Sequence, residues 1–123
     1  MTAAARRRAW QWGHWAEAWC MTALRLQGYR VVARRIRYPV GEIDIAARRG
    51  RTLAIVEVKA RGRIADAAES VSGRQRRRIA RAAEWLISEH PEFAALTIRF
   101  DVMLVAPWRW PRHLRSAWLP EIR

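Results

Sequence analysis

Apolar positions along this chain recur at two different periods. Between Arg6 and Gln27, the residues Trp12, Trp15, Ala16, Trp19, Cys20, Ala23 and Leu24 fall near the 3.6-residue repeat of a helix, and Gly28 offers a C-terminal stop. Tyr29 to Tyr38 predicts a strand closed by Pro39, and Glu42 to Ala47 a second one opened by Gly41. After a turn at Arg49-Gly50, the β-branched run Thr52 to Val58 predicts a third strand. The pattern then weakens from Ala60 to Ser72. Ser72 is a good N-cap for a second helix over Gly73 to Glu89, whose Ile79, Ala82, Ala83, Leu86 and Ile87 share one face. Thr97 to Ala106 predicts a fourth strand, and the Trp-, Pro- and Arg-rich tail, 107–123, is expected to be a short covering element. No repeat or linker interrupts this order, so one α/β domain spanning 1–123 with elements α-β-β-β-α-β is the economical expectation.

Composition sharpens the picture. With 51% apolar residues over 123 positions, a single core can be buried. No uncharged apolar run approaches the ~18–20 residues of a membrane span, and no apolar stretch follows Arg6, Arg7 and Arg8, so neither a membrane segment nor a secretory signal is expected. One cysteine, Cys20, forbids an internal disulfide and fits a reducing, cytoplasmic setting. His14, His90 and His113 are too scattered for a zinc-ligand spacing. The formal charge of +13 favours a polyanionic partner, most simply nucleic acid. A GC-rich genome would explain arginine over lysine, but not base over acid. Of the 24 basic residues, 23 are arginine and one is lysine, Lys59. Where guanidinium serves everywhere else, one retained ammonium points to a place that needs a compact, titratable charge.

That place is the hairpin. With the two-residue loop at Arg49-Gly50, Arg48 faces Arg51, Glu42 lies opposite Glu57, and Asp44 is diagonal to Glu57. Alternation along each strand then sends Glu42, Asp44, Glu57 and Lys59 to one face, with Ile43, Ile45, Ala54, Val56 and Val58 on the other. Like charges ~5 Å apart at an effective dielectric of ~20 repel by about 3 kcal/mol, a cost that a cation among them removes. Asp44 and Glu57, about 7–8 Å apart on the diagonal, can share a hard divalent cation of the Mg²⁺ type, with the Val58 carbonyl as a further oxygen. Lys59 returns to the same face, where it can orient or help deprotonate a water and stabilise charge on a phosphate. A solvated charged face is the bland alternative; Leu53 and Ile55 on that same face, which need a helix over them, weigh against it.

These residues resemble a known signature. Asp44 followed by Glu57-Val58-Lys59 is similar to the Asp…(Asp/Glu)-x-Lys motif of restriction-endonuclease-like nucleases. The longer strings Gly41-Glu42-Ile43-Asp44-Ile45 and Val56-Glu57-Val58-Lys59 resemble the YraN-like family of small bacterial proteins, related to archaeal Holliday-junction resolvases. Ala16-Glu17, Gly28-Tyr29-Arg30-Val31, Gln75-Arg76-Arg77 and Arg99-Phe100-Asp101-Val102 extend the likeness over most of the chain. The resemblance implies a restriction-endonuclease-like core with a mixed central sheet flanked by helices. It implies metal binding by Asp44 and Glu57 and a catalytic Lys59. It further implies that Glu17 completes the acidic site and Gln75 positions the scissile phosphate. Glu42 would sit beside the metal, and Asp101 is expected to pair structurally with an arginine. Arg74 stands where the family usually has lysine, and the tryptophan-rich first helix and tail are not part of the family pattern.

Arginines surround the hairpin. Arg48, Arg49, Arg61, Arg63, Arg74, Arg76, Arg77 and Arg78 are expected to hold phosphates without reading sequence. The eight tryptophans could stack on unpaired bases, but Trp15, Trp19 and Trp85 are expected in the core, whereas Trp108, Trp110 and Trp118 are open to a partner or dimer surface. The expected function is a Mg²⁺- or Mn²⁺-dependent endonuclease acting on DNA, rather than RNA, at branched or single-stranded structures; a symmetric homodimer would suit a junction. Two alternatives stand beside it: a non-catalytic nucleic-acid-binding module on the same fold, and an interaction protein using the tryptophan-rich tail.

Overall fold

The first helix ends where its sequence says it must. The computed structural model describes residues 2–60 and 63–120, the side chains of residues 5–12 excepted. Within it, α1 runs Ala3–Leu26. Gly28 then adopts φ +88°, and its N–H and that of Tyr29 donate to the carbonyls of Arg25 and Leu24, both at 3.0 Å. That reversal satisfies two orphan carbonyls and seats Tyr29 against Leu24 in the core. Three strands follow as an antiparallel meander, β1 (Arg30–Tyr38), β2 (Gly41–Arg49) and β3 (Thr52–Lys59). A short 3₁₀ turn at Ile64–Asp66 leads to α2, Gly73–Glu89, capped by the Ser72 hydroxyl, which accepts from the Gln75 N–H at 3.1 Å. Because β4 (Thr97–Leu104) is parallel to β3, the chain needs a crossover, and α2 provides it.

A mixed five-stranded sheet results, ordered β1-β2-β3-β4-β5, with helices on both faces. The expected α/β class and element order are observed, with one addition. The tail is not a covering element: Arg112–Trp118 forms the edge strand β5, antiparallel to β4. Its alternation is hidden by Ser116, at φ +53°, beside a register shift between Phe100 and Val102. Asp101 fills that irregularity, accepting from the Ser116 N–H at 3.0 Å. The same buried carboxylate accepts from Arg99 Nε and an Arg99 terminal nitrogen at 2.9 and 2.8 Å and bonds His113 Nε2 at 2.7 Å. The arginine partner expected for Asp101 is therefore Arg99. Burial alone would raise this carboxyl; His113, Arg99 and the Ser116 N–H outweigh it and hold the pKa below the ordinary value.

Both sheet faces are cores. Leu53 and Ile55 of β3 and Phe100 and Val102 of β4 meet Ile79, Ala82, Ala83 and Leu86 of α2, while Ala54, Val56 and Met103 meet Ala16, Cys20, Ala23 and Leu24 of α1. The inner strands β2, β3 and β4 thus alternate between two helices, while the edge strands β1 and β5 keep exposed positions. Some tryptophans depart from expectation: Trp15 and Trp85 are 42% and 40% exposed, whereas Trp118 is buried and stacks on Phe100 at 5.3 Å. At the β1–β2 turn, α2 comes so near that a Cβ on Gly41 would lie 2.1 Å from the Arg78 carbonyl oxygen. Only glycine allows that approach.

Candidate active site

The hairpin register differs from the expected one by two residues. Arg49 pairs with Thr52 and Ile45 with Val56, so the loop is Gly50-Arg51. Gly50 takes φ +59° at the first loop position, where a tight hairpin of the Gly-first type requires it. A shift of two preserves parity, so the face assignments of Asp44, Glu57 and Lys59 survive. The ladder continued by one step brings Asp44 level with Glu57 rather than diagonal to it.

Here β2 and β3 part. No pairing extends past Ile45 and Val56, which leaves the Val58 N–H in need of an acceptor. Asp44 Oδ2 takes it at 2.8 Å, a carboxylate standing where a strand carbonyl would be. Ile43, beyond the break, packs in the α2 cluster rather than with Ile45 in the α1 cluster, so the expected common face of the two isoleucines is not kept. From β3, Glu57 Oε1 accepts from Gln75 Nε2 at 2.8 Å and lies 3.6 Å from Lys59 Nζ. The cap at Ser72 fixes the turn that carries Gln75, whose side chain in turn holds the Glu57 carboxylate.

Asp44 and Glu57 are also within hydrogen-bonding reach of each other. Burial pushes both above the ordinary carboxylate range. For Asp44 the Val58 N–H works against that rise; for Glu57 the neighbouring Asp44 charge adds to it, and the Lys59 ammonium opposes it. The pair therefore retains a proton that two separated carboxyls would lose.

Glu17 reaches the same end of the sheet from α1, and burial raises its pKa against the opposing charge of Arg35. Arg35 Nε sits 3.1 Å from Glu17 Oε2, and the strand register places Arg35 between the pairs Arg34–Ile45 and Ile36–Ile43, level with Asp44. Its φ of +48° is left-handed, an unfavourable conformation for a non-glycine residue in a strand, which turns the guanidinium toward Glu17 and His14. Sequence patterning gave no sign of that role. A cleft of about 560 Å³ opens between Glu17, Arg35, Arg37, Glu42 and Asp44.

The structure thus brings together Asp44, Glu57, Lys59 and Gln75, with Glu17 on the rim and engaged by Arg35. Among the described residues, no three His, Cys, Asp or Glu side chains gather into one metal-holding group. Glu42 stands on the wall of the cleft beside Asp44, exposed and paired across the strands with Arg37 at 3.3 Å. The arginines divide sharply. Arg48 and Arg49 lie at the far turn of the hairpin, where Arg49 packs over the Tyr29 ring at 4.5 Å and donates to the Gln27 carbonyl. Arg63 pairs with Asp66. Arg76 turns inward, donating to the Val71 and Ala68 carbonyls at 3.0 and 2.6 Å beside the Trp118 ring. Arg74, Arg77 and Arg78 are exposed on the first turns of α2. Arg61 lies outside the described residues.

No described helix is long and apolar enough to cross a membrane. Residues 16–105, which carry every one of the grouped side chains, match the model of the family described as uncharacterised protein family UPF0102. A relative from Parvibaculum lavamentivorans is 56% identical over 112 residues, covering 91% of this chain and 84% of the relative. One from Methylobacterium nodulans is 52% identical over 116 residues, 94% of this chain and 90% of the relative, and one from Methylocella silvestris is 50% identical over 112 residues, 90% of each. All three bear the name UPF0102 protein. The family match runs from the second half of α1 to just past the end of β4, and with it the chain belongs to the UPF0102 family, the YraN-like group its hairpin strings resemble.

Proposed function

We propose that the protein is a metal-dependent endonuclease that hydrolyses DNA phosphodiester bonds at branched or single-stranded structures, using Mg²⁺ or Mn²⁺. One observation carries this reading: Asp44 and Glu57 meet in the gap where the β2–β3 ladder ends, with the lone lysine and Gln75 on the same Glu57 oxygen. The donor set fits a hard cation. Each carboxylate has one oxygen engaged by the protein, through Val58 N–H or Gln75, and the two carboxyls hold between them a proton that a dication would replace. Asp44, Glu57 and the Val58 carbonyl are the groups that would hold it. A bound cation of this kind lowers the pKa of a water and offsets charge on a phosphate oxygen.

The chain's own residues do the rest. Val58 N–H fixes the Asp44 carboxylate and Gln75 fixes the Glu57 carboxylate, so both are oriented before substrate arrives. The Lys59 ammonium, 27% exposed at its side chain, can reach a phosphate oxygen or the attacking water while staying beside Glu57. Arg74, Arg77 and Arg78, exposed near the start of α2, and the amide donors there would take flanking phosphates. The restriction-endonuclease-like core, the relation to junction resolvases, a dimer on a junction and a cytoplasmic setting belong to the same proposal; the order α-β-β-β-α-β with the acids on the middle hairpin supports it. One observation favours the rival, a non-catalytic nucleic-acid-binding module: the third acid, Glu17, is occupied by Arg35.

The two separate on cleavage. Labelled duplex, single-stranded, flap and four-way DNA are incubated with the protein in Mg²⁺, Mn²⁺ or chelator, with Lys59→Ala alongside. Metal-dependent scission of at least one substrate, lost in Lys59→Ala while binding survives, is expected. Binding without scission of any substrate refutes the nuclease and leaves the module.

A further inference from the structure

The turn between β4 and β5 begins at the candidate site. Lys59 pairs with Leu104 in the parallel ladder, and the Val105 N–H donates to the Lys59 carbonyl at 2.9 Å, so residues 105–111 continue past the same sheet end that carries Asp44 and Glu57. This turn does something costly. Trp108 is 99% exposed and held at φ +62°, between Pro107 and Pro111. A large ring in full contact with water gains nothing from the fold, and a left-handed φ is an outlier for a bulky residue. Trp110, half exposed, braces the turn by packing edge-on to Trp19 of α1 at 5.4 Å, two residues along from Glu17. Arg109 and Arg112, one and four residues after Trp108, are exposed as well.

We propose that Trp108 is a stacking platform for an unpaired nucleotide next to the phosphate at the Asp44–Glu57–Lys59 site, with Arg109 and Arg112 on that strand's phosphates. An exposed aromatic face with arginines close by in the chain suits a base and its backbone together, and the chain's charge of +13 suits a polyanion. The choice of nucleic acid as occupant rests on the nuclease reading and on the shared sheet end. A platform of this kind favours single strands, flaps and junction centres over intact duplex, because only an unstacked base presents a free face.

Binding in chelator tests this apart from catalysis. Fluorescence anisotropy is measured with a labelled single-stranded oligonucleotide and with the blunt duplex of the same length, using the full chain, Trp108→Ala and Trp108→Phe. Trp108→Ala is expected to weaken single-strand binding about tenfold, while duplex binding changes less than about twofold. Trp108→Phe should retain most of the affinity, and both variants the parent's melting temperature. Equal loss on both substrates, or no loss, overturns the proposal. So does finding that Trp108→Ala instead abolishes a dimer in sedimentation velocity or binding to anionic phosphatidylglycerol vesicles. Absence of scission by the parent protein would defeat the nuclease reading alone, since the stacking readout contains no cleavage step.

Discussion

Gly41→Ala should damage both fold and site through one backbone contact. The added Cβ would lie 2.1, 2.8 and 3.2 Å from the carbonyl oxygen, carbonyl carbon and Cα of Arg78. Those are main-chain atoms of α2, so no side chain can swing aside. Restoring an ordinary contact of about 3.5 Å requires the β1–β2 turn and α2 to part by more than an ångström. Overpacking of a well-filled interface costs about 1–3 kcal/mol, and the upper half of that range applies because the obstacle is backbone. For a chain of this size the loss is a fall in melting temperature of about 6–12 °C. The same displacement pulls on Gln75, less than one helical turn before Arg78, and stretches its 2.8 Å hydrogen bond to Glu57. Gly13→Ala is the control: nothing lies within 4 Å of its Cβ, it sits inside α1, and alanine there should stabilise by about 0.5–1 kcal/mol. Thermal and denaturant unfolding of the two variants settle the matter. A Gly41→Ala protein within about 0.5 kcal/mol of the parent would refute the close-approach argument.

Three further outcomes follow from the charged groups. Glu57 is raised in the folded protein, so the fold binds more protons than the unfolded chain, and the stability it lends is full at low pH and lost as pH rises through the raised value. Unfolding in chelator at a series of pH values should therefore show the parent losing stability, relative to Glu57→Gln, from about pH 5 upward; parallel curves would contradict the shared proton. Asp101→Ala should cost about 3 kcal/mol by denaturant midpoint, since it strands Arg99 and the Ser116 N–H around a fully buried position; a cost under about 1 kcal/mol would mean the cluster is not cooperative. Arg76→Ala and Arg78→Ala should separate: the first lowers stability, having lost its bonds to Val71 and Ala68, while the second leaves stability intact and reduces the salt slope of nucleic-acid binding by about one. Identical behaviour of the two would erase the distinction between brace and phosphate contact.

What patterning could reach, and what it could not, divides along a physical line. Side-chain period is a property of one strand, so the faces of Asp44, Glu57 and Lys59 were legible from alternation and survived a register error of two. Register depends on the turn, and whether Gly50 stands first or second in its loop is a question of one φ angle that composition does not state. The break past Ile45 and Val56 is subtler still: nothing in Ile43-Asp44-Ile45 announces that the ladder ends there, because the ending is stabilised across the gap by one carboxylate on the Val58 N–H. Arg35 belongs to the same class. Its left-handed φ is held by contacts to Glu17 and His14, 18 and 21 residues earlier, and no local pattern encodes such contacts. The tail hid for the opposite reason: β5 lacks alternation because Ser116 and Asp101 make an irregular edge, and only the sheet's need to cover Phe100 and Val102 turns that segment into a strand. The places where local rules fail are thus the gap holding the acid pair, the arginine facing it, and the edge strand beyond the exposed turn. Two of the three line the candidate site and the third continues from the turn that starts beside Lys59, which is the distribution expected when backbone irregularity is retained for a site rather than for the core.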